Sequence, residues 1–142
     1  HDALMEREAD SLTQAEKEMI VVAVSADHGC LYCVVAHGAI LRILAKDAQL
    51  ADQIAVNYRT APLSERQRTM LDFALHLAAG RGVLDDAWQA RLEAQGFSLD
   101  DIWDIGAIAG LFGLSNRLVS MARTPPNDEF YLLGRVPRSP AR

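Results

Sequence analysis

Two cysteines and a histidine stand close together in the stretch GCLYCVVAH, residues 29–37. Cys30 and Cys33, the two cysteines of the chain, are three residues apart, and His37 follows four residues later. A CxxC pair can be a redox couple, half of a zinc site, or two core residues that lie close by chance. In a chain of 142 residues, two cysteines do not make a secreted disulfide framework, so the pattern points to redox or metal chemistry.

If this stretch is helical, Cys30 and His37 lie nearly in line and Cys33 lies about 60° to the side, so all three can face one pocket. The unsatisfied N–H groups and the dipole at a helix start favour a thiolate at Cys30. Cys33 is close enough to close a disulfide, and an imidazole titrates near neutral pH and can transfer a proton. This set of groups is typical of a dithiol peroxidase or a disulfide reductase.

Zinc binding is the main alternative for the same residues. Cys30, Cys33 and His37 would need a fourth ligand, which either His28 or Glu18 could supply. Closed structural zinc sites usually take two ligands from each of two elements, whereas three of these come from one helix. The spacing therefore favours redox chemistry over zinc.

Glu18 is the acidic residue that could complete the site. It lies at the edge of the apolar run 19–24, where a buried carboxylate is costly without a partner. A histidine on the next helix would supply that partner and would hold its own ring in one tautomer. The alternative is a solvated glutamate beside Lys17.

The elements that carry these residues are predicted to be helices, so the fold class is all-α. Capping signals at Thr13 and Ser64 precede helices that end at Gly29 and Gly80. Ser98 is predicted to cap a long apolar helix over residues 99–122, unless a glycine within it introduces a kink. Three further helices are predicted over residues 31–47, 47–58 and 85–95. Residues 1–123 are predicted to form one helical domain, and residues 124–142, rich in proline and glycine, an extended tail.

A faint internal repeat relates two of these helices. LTQAEKEMIVVA and LSERQRTMLDFA share a leucine, a hydroxyl cap and a methionine at an offset of 51 residues. At this offset Cys30, Cys33 and His37 correspond to Arg81, Leu84 and Trp88. Either the two halves are related and the first alone kept chemistry, or two capped amphipathic helices look alike.

Composition narrows the class of partners and the compartment. Half of the residues are apolar and the net charge is −5. Because no block of Lys and Arg is present, nucleic acid is not an expected partner. The apolar run 19–24 is too short to span a bilayer, and no signal peptide is visible. We therefore predict a cytoplasmic protein that does not bind membranes.

The spacing of Glu18, Cys30, Tyr32, Cys33 and His37 resembles the signature of the alkylhydroperoxidase D family, within the carboxymuconolactone decarboxylase superfamily. Longer stretches, LTQAEKEMIVVAVSADHGCLYCVVAHGAILR, SNRL and PNDEFYLLGR, are similar to a branch of uncharacterised peroxidase-related enzymes. The resemblance implies a helical bundle with the CxxC at the N-terminus of a core helix. It also implies that a further N-terminal helical segment precedes the domain.

The resemblance assigns a role to each site residue. Cys33 would be the peroxidatic thiolate and Cys30 the resolving cysteine, and Glu18 and His37 would relay protons. The best-known member of the family has a histidine at the position of Tyr32, so the relay is shorter here. The helix dipole by itself favours Cys30 as the attacking sulfur, whereas the family pattern, and the proximity to His37, favour Cys33.

The resemblance further implies reduction of hydrogen peroxide or organic hydroperoxides without a metal or a bound cofactor. Electrons would come from an external dithiol of the lipoyl type or a thioredoxin-like protein, and the chain would form a trimer or a hexamer. Two alternatives remain. One is a decarboxylase or lactone-handling enzyme that uses Glu18 and His37 as acid and base. The other is a zinc-stabilised or redox-sensing module.

Overall fold

The computed structural model describes residues 1–7 and 11–136, and every regular element within these ranges is helical. The all-α prediction is therefore confirmed. Seven α-helices follow one another: α1 (Asp2–Met5), α2 (Gln14–Asp27), α3 (Leu31–Ala45), α4 (Leu50–Asn57), α5 (Glu65–Ala78), α6 (Asp86–Ala94) and α7 (Leu99–Ala122). Two short 3-10 helices span Tyr58–Thr60 and Asp128–Tyr131.

Side-chain caps fix where the long helices begin. The hydroxyls of Thr13, Ser64 and Ser98 each accept a hydrogen bond from the backbone N–H three residues later, and the side chain at that position bonds back to the capping residue. Each such cap is worth about 1 kcal/mol, because it satisfies N–H groups that a helix start leaves unpaired. The predicted starts of α2, α5 and α7 are confirmed.

Helix α2 is the centre of the bundle and packs against α3, α4, α5 and α7. Its apolar run, residues 19–24, is buried on all sides, which explains the absence of a polar face in its sequence. Helices α2 and α3 form an antiparallel hairpin, and α7 packs beside both. The site residues lie on this hairpin.

Helix α7 is continuous through Gly110 and Gly113. Among the described residues it is the helix that is long and apolar enough to cross a membrane, with a mean hydropathy of 1.3. However, Asp101 and Asp104 are buried on it and bind other parts of the chain. The Asp101 carboxylate accepts hydrogen bonds from Ser11, and Asp104 accepts two from Arg7, at 2.9 Å. These polar contacts are typical of a core helix.

The extended tail predicted after residue 123 is wrong for residues 128–136, which fold back onto α3. Buried Arg42 donates hydrogen bonds to the carbonyl oxygens of Phe130 and Leu133, at 2.8 Å each. Arg135 adds a two-pronged ion pair with Asp52. The physical reason is the buried guanidinium, whose N–H groups need acceptors that only a folded segment supplies. Residues 137–142 of the predicted tail lie outside the described residues.

Candidate active site

The turn between α2 and α3 places the first cysteine. Helix α2 ends at Asp27 with His28 as its C-cap, and Gly29 takes a left-handed conformation with φ of +67°. The N–H of Cys30 then donates to the carbonyl oxygen of Ser25, and that of Gly29 donates to Ala26, at 3.0 and 3.1 Å. This is a Schellman motif, for which glycine is the favoured residue. It reverses the chain in two residues and delivers Cys30 to the start of α3.

Cys30 is the N-cap residue of α3, and Cys33 lies in its first turn. The two sulfurs form a disulfide, with Cα atoms 5.4 Å apart. Both residues are nearly fully buried, at 1% and 2% exposure. The structure thus brings the two predicted cysteines together in their oxidised form, at a helix start where N–H groups and the dipole stabilise a thiolate after reduction.

Glu18 and His37 form a buried pair between the two helices. Nδ1 of His37 lies 2.8 Å from Oε2 of Glu18. The interpretation of Glu18 as a solvated residue is excluded, because its side chain is 7% exposed. Its neighbour Lys17 is fully buried and donates instead to backbone carbonyl oxygens of residues 4 and 7. Burial lowers the pKa of the Lys17 ammonium.

The bond to Glu18 determines what the imidazole of His37 can do. With Nδ1 held by a carboxylate, the proton of the neutral ring resides on Nδ1, and Nε2 is left to accept or return a proton. Phe112 of α7 packs against the ring, edge to face, with centroids 4.9 Å apart. Since Cys33 and His37 are four residues apart on α3, they share one face of the helix. The ring is therefore one turn from the Cys33 sulfur.

Tyr32 does not extend this pair. Its ring contacts Phe130 of the C-terminal segment, with centroids 6.5 Å apart in an edge-to-face arrangement. The tyrosine thus helps to hold residues 128–136 on α3.

Sequence reasoning missed the polar group behind the turn. Asn116 of α7 is buried, at 1% exposure. Its Oδ1 accepts a hydrogen bond from Ser25, at 2.9 Å, and its Nδ2 donates to Nδ1 of His28, at 3.2 Å. The exposed face begins with the next residue, Arg117. An amide on the apolar side of a core helix was the signal that could have found it.

The residues considered as zinc ligands are bonded elsewhere in this state. The two sulfurs are joined to each other, Glu18 binds His37, and His28 accepts from Asn116. Across residues 1–7 and 11–136, no group of three or more His, Cys, Asp and Glu side chains is placed to hold a metal ion.

Comparisons with known proteins place this site in a family. The model of the carboxymuconolactone decarboxylase family matches residues 1–58, which include Glu18, both cysteines and His37. None of the curated proteins gives a significant match.

Two solved structures are similar over nearly the whole chain. One is described as an alkylhydroperoxidase AhpD core, an uncharacterized peroxidase-related protein from Ralstonia eutropha JMP134. It is 54% identical, with a TM-score of 0.94 over 97% of this chain and 72% of its own. The other is an uncharacterized peroxidase-related protein from Silicibacter sp. TM1040. It is 42% identical, with a TM-score of 0.90 over 94% of this chain and 70% of its own. On this identity and coverage, the chain belongs to the alkylhydroperoxidase D-like family.

Proposed function

We propose that the protein is a thiol-dependent peroxidase that reduces hydrogen peroxide or small organic hydroperoxides. The observation that carries this proposal is the Cys30–Cys33 disulfide one helical turn from an imidazole that is bonded to a buried carboxylate. A nucleophilic sulfur, a second sulfur that can displace its oxidation product, and a base held in one tautomer are the groups that the reaction needs.

In the first step, the Cys33 thiolate attacks the distal oxygen of the hydroperoxide. The O–O bond breaks, the sulfur is oxidised to a sulfenic acid, and the alkoxide leaves. His37 takes the thiol proton before the attack and returns it to the leaving oxygen through Nε2. Glu18 stabilises the imidazolium that exists between these two transfers, since its carboxylate lies 2.8 Å from Nδ1.

In the second step, the sulfur of Cys30 attacks the sulfenic sulfur and releases water, and the disulfide seen in the structure is formed. An external dithiol then reduces this disulfide by thiol–disulfide exchange and is itself oxidised. One cycle converts a hydroperoxide and a dithiol into an alcohol, water and a disulfide. Lipoyl groups and thioredoxin-like proteins are the reductant classes we propose.

Burial of the sulfurs limits the size of the substrate. Because Cys30 and Cys33 are 1% and 2% exposed, a bulky hydroperoxide cannot reach them without displacement of neighbouring side chains. Small peroxides are therefore the expected substrates.

We also propose that the protein is a cytoplasmic homo-oligomer, a trimer or a hexamer. Apolar side chains on α7 are exposed, such as Trp103 and Met121 at 70% and 79%. Exposed apolar surface of this kind supports burial by another copy of the chain.

A trapping experiment tests the assignment of the two cysteines. The reduced protein is treated with one equivalent of hydrogen peroxide and a sulfenic-acid probe, and the adduct is located by peptide mass spectrometry. We expect Cys30→Ser to accumulate the adduct on Cys33. We expect Cys33→Ser to lose hydroperoxide-dependent thiol oxidation by roughly a thousandfold or more, because the nucleophile is gone.

Two results would contradict the proposal. An adduct that forms on Cys30 in Cys33→Ser, at the wild-type rate, would reverse the roles of the two sulfurs. If neither cysteine reacts with hydroperoxide, and turnover of a lactone or β-keto acid survives in Cys33→Ser, the pair of Glu18 and His37 acts as acid and base in a decarboxylase-type reaction instead.

A further inference from the structure

We infer that Asn116 is a positioning residue that holds the Cys30 turn in the geometry required for disulfide closure. This inference rests on the proposed function, since it concerns the same cysteine pair. Asn116 lies on α7, which is remote in sequence from the turn, and it is 1% exposed.

Asn116 bonds to two residues at the end of α2, just before the turn. Its Oδ1 accepts from Oγ of Ser25, 2.9 Å away, and its Nδ2 donates to Nδ1 of His28, 3.2 Å away. Ser25 is itself fully buried, so its hydroxyl cannot bond to water in place of Asn116. One amide therefore uses its acceptor and its donor to tie the last turn of α2 to α7.

The same Ser25 fixes the backbone of Cys30. The carbonyl oxygen of Ser25 accepts the N–H of Cys30 at 3.0 Å, while the Ser25 side chain is held by Asn116. A continuous chain of hydrogen bonds thus runs from α7 through Ser25 to the cysteine. The Cys30 side chain makes no cap hydrogen bond at this N-cap, so the bond from its N–H to Ser25 is what connects the cysteine to Asn116.

This anchoring should favour the disulfide over the dithiol. In the disulfide, the covalent bond to Cys33 already restrains the turn. In the dithiol, only hydrogen bonds restrain the turn: the backbone bonds of the Schellman motif and the bonds of Ser25 and His28 to Asn116. Removal of the amide therefore increases the conformational freedom of the turn mainly in the dithiol. Disulfide closure becomes less favourable, because more conformational entropy is lost when the disulfide forms.

The equilibrium with glutathione measures this effect directly. In that reaction the disulfide and two molecules of glutathione form the dithiol and glutathione disulfide, and the protein thiols are counted by alkylation. For Asn116→Ala we expect the constant for disulfide formation to fall about tenfold, which is a rise of about 30 mV in the reduction potential. Ser25→Ala should shift the constant in the same direction and serves if Asn116→Ala does not fold.

Asp104→Asn is the matched control, because Asp104 is also a buried polar residue of α7 but binds Arg7. It should lower stability and leave the reduction potential unchanged. The inference is overturned if folded Asn116→Ala and Ser25→Ala keep the wild-type potential, or if Asp104→Asn shifts it equally. Failure of the proposed function would look different: the wild-type dithiol would not react with hydroperoxide, while its potential could still be measured.

Discussion

Helices α2 and α5 have the same length, the same kind of N-terminal cap and the same turn geometry, but they differ in the residues they carry. Each has 14 residues, begins with a capping box, and ends in a glycine with φ of +67° or +66°. After each helix, two backbone hydrogen bonds close the same Schellman motif: Cys30 and Gly29 donate in the first, Arg81 and Gly80 in the second. The offset of 51 residues seen in the sequence is thus an offset between two equivalent helix–turn units.

The first difference between the two units is the residue at one equivalent buried position of each helix. Glu18 of α2 corresponds to Thr69 of α5, and both are buried. A buried hydroxyl is inexpensive, whereas a buried carboxylate needs a charged or hydrogen-bonding partner. Glu18 has His37 as this partner. The first unit therefore has a carboxylate paired with an imidazole at this position, and the second has a hydroxyl there.

The second difference is the length of the turn. Helix α3 begins two residues after Gly29, whereas α6 begins six residues after Gly80. The short turn brings Cys30 to the start of the next helix. The long turn instead borders a cavity of about 610 Å³, whose lining includes His76, Trp88 and the paired side chains of Tyr58 and Asp72.

The comparison separates what holds the bundle together from what makes a redox site. Caps and glycine stops occur in both units, so they contribute to folding. The carboxylate, the short turn and the cysteines occur in one unit, so they are the parts from which we derive chemistry. Variants that transfer a feature from one unit to the other can test this division.

The largest effect is expected for Glu18→Thr, which introduces into α2 the residue type that α5 has at the equivalent position, Thr69. Without its carboxylate, His37 loses its fixed tautomer and the partner of its imidazolium. We expect the rate of sulfenic-acid formation with hydrogen peroxide to fall about 10²- to 10⁴-fold, the usual contribution of a positioned proton-transfer group. The measurement is stopped-flow oxidation of the reduced protein at constant pH.

Thr69→Val is the control for this variant, since it changes the equivalent buried position without touching the cysteines. It should retain the wild-type rate. If Glu18→Thr is folded and reacts as fast as the wild type, the pair of Glu18 and His37 is not a relay and the distinction between the two units fails.

A smaller effect is expected for the paired variants Gly29→Ala and Gly80→Ala. A Cβ at either glycine meets no atom within 4 Å, so the cost is the left-handed backbone alone. Each should lower the free energy of unfolding by about 1–2 kcal/mol, as measured in urea. Only Gly29→Ala should also change the equilibrium of the cysteine pair with glutathione. A similar change in Gly80→Ala would show that loss of stability, not the turn, moves the equilibrium.

Much of this fold could be predicted because its signals are local. The caps at Thr13, Ser64 and Ser98 depend on residues three positions apart, and the glycine stops depend on single residues. The pairing of Glu18 with His37 could be predicted for a similar reason, because a hairpin with a short turn places adjacent helices in contact and a buried carboxylate needs a partner.

Long-range polar contacts could not be predicted from the sequence. Asn116 is 91 residues from Ser25, and Arg42 is 88 residues from Phe130. A single sequence contains no signal of which remote carbonyl or hydroxyl satisfies a buried side chain. This is why the C-terminal segment was predicted as extended.

The smallest effect is expected in the second unit at alkaline pH. Burial, and the hydrogen bond to Asp72, raise the pKa of Tyr58 from 10.0 to about 12. Because the unfolded chain loses this proton at lower pH than the folded protein, stability from this group is complete below about pH 10 and is lost as the pH rises to about 12. Tyr58→Phe should therefore flatten the fall in unfolding free energy over this range, relative to wild type, in urea titrations at each pH. If Tyr58→Phe keeps the wild-type slope, the Tyr58–Asp72 pair does not stabilise the second unit.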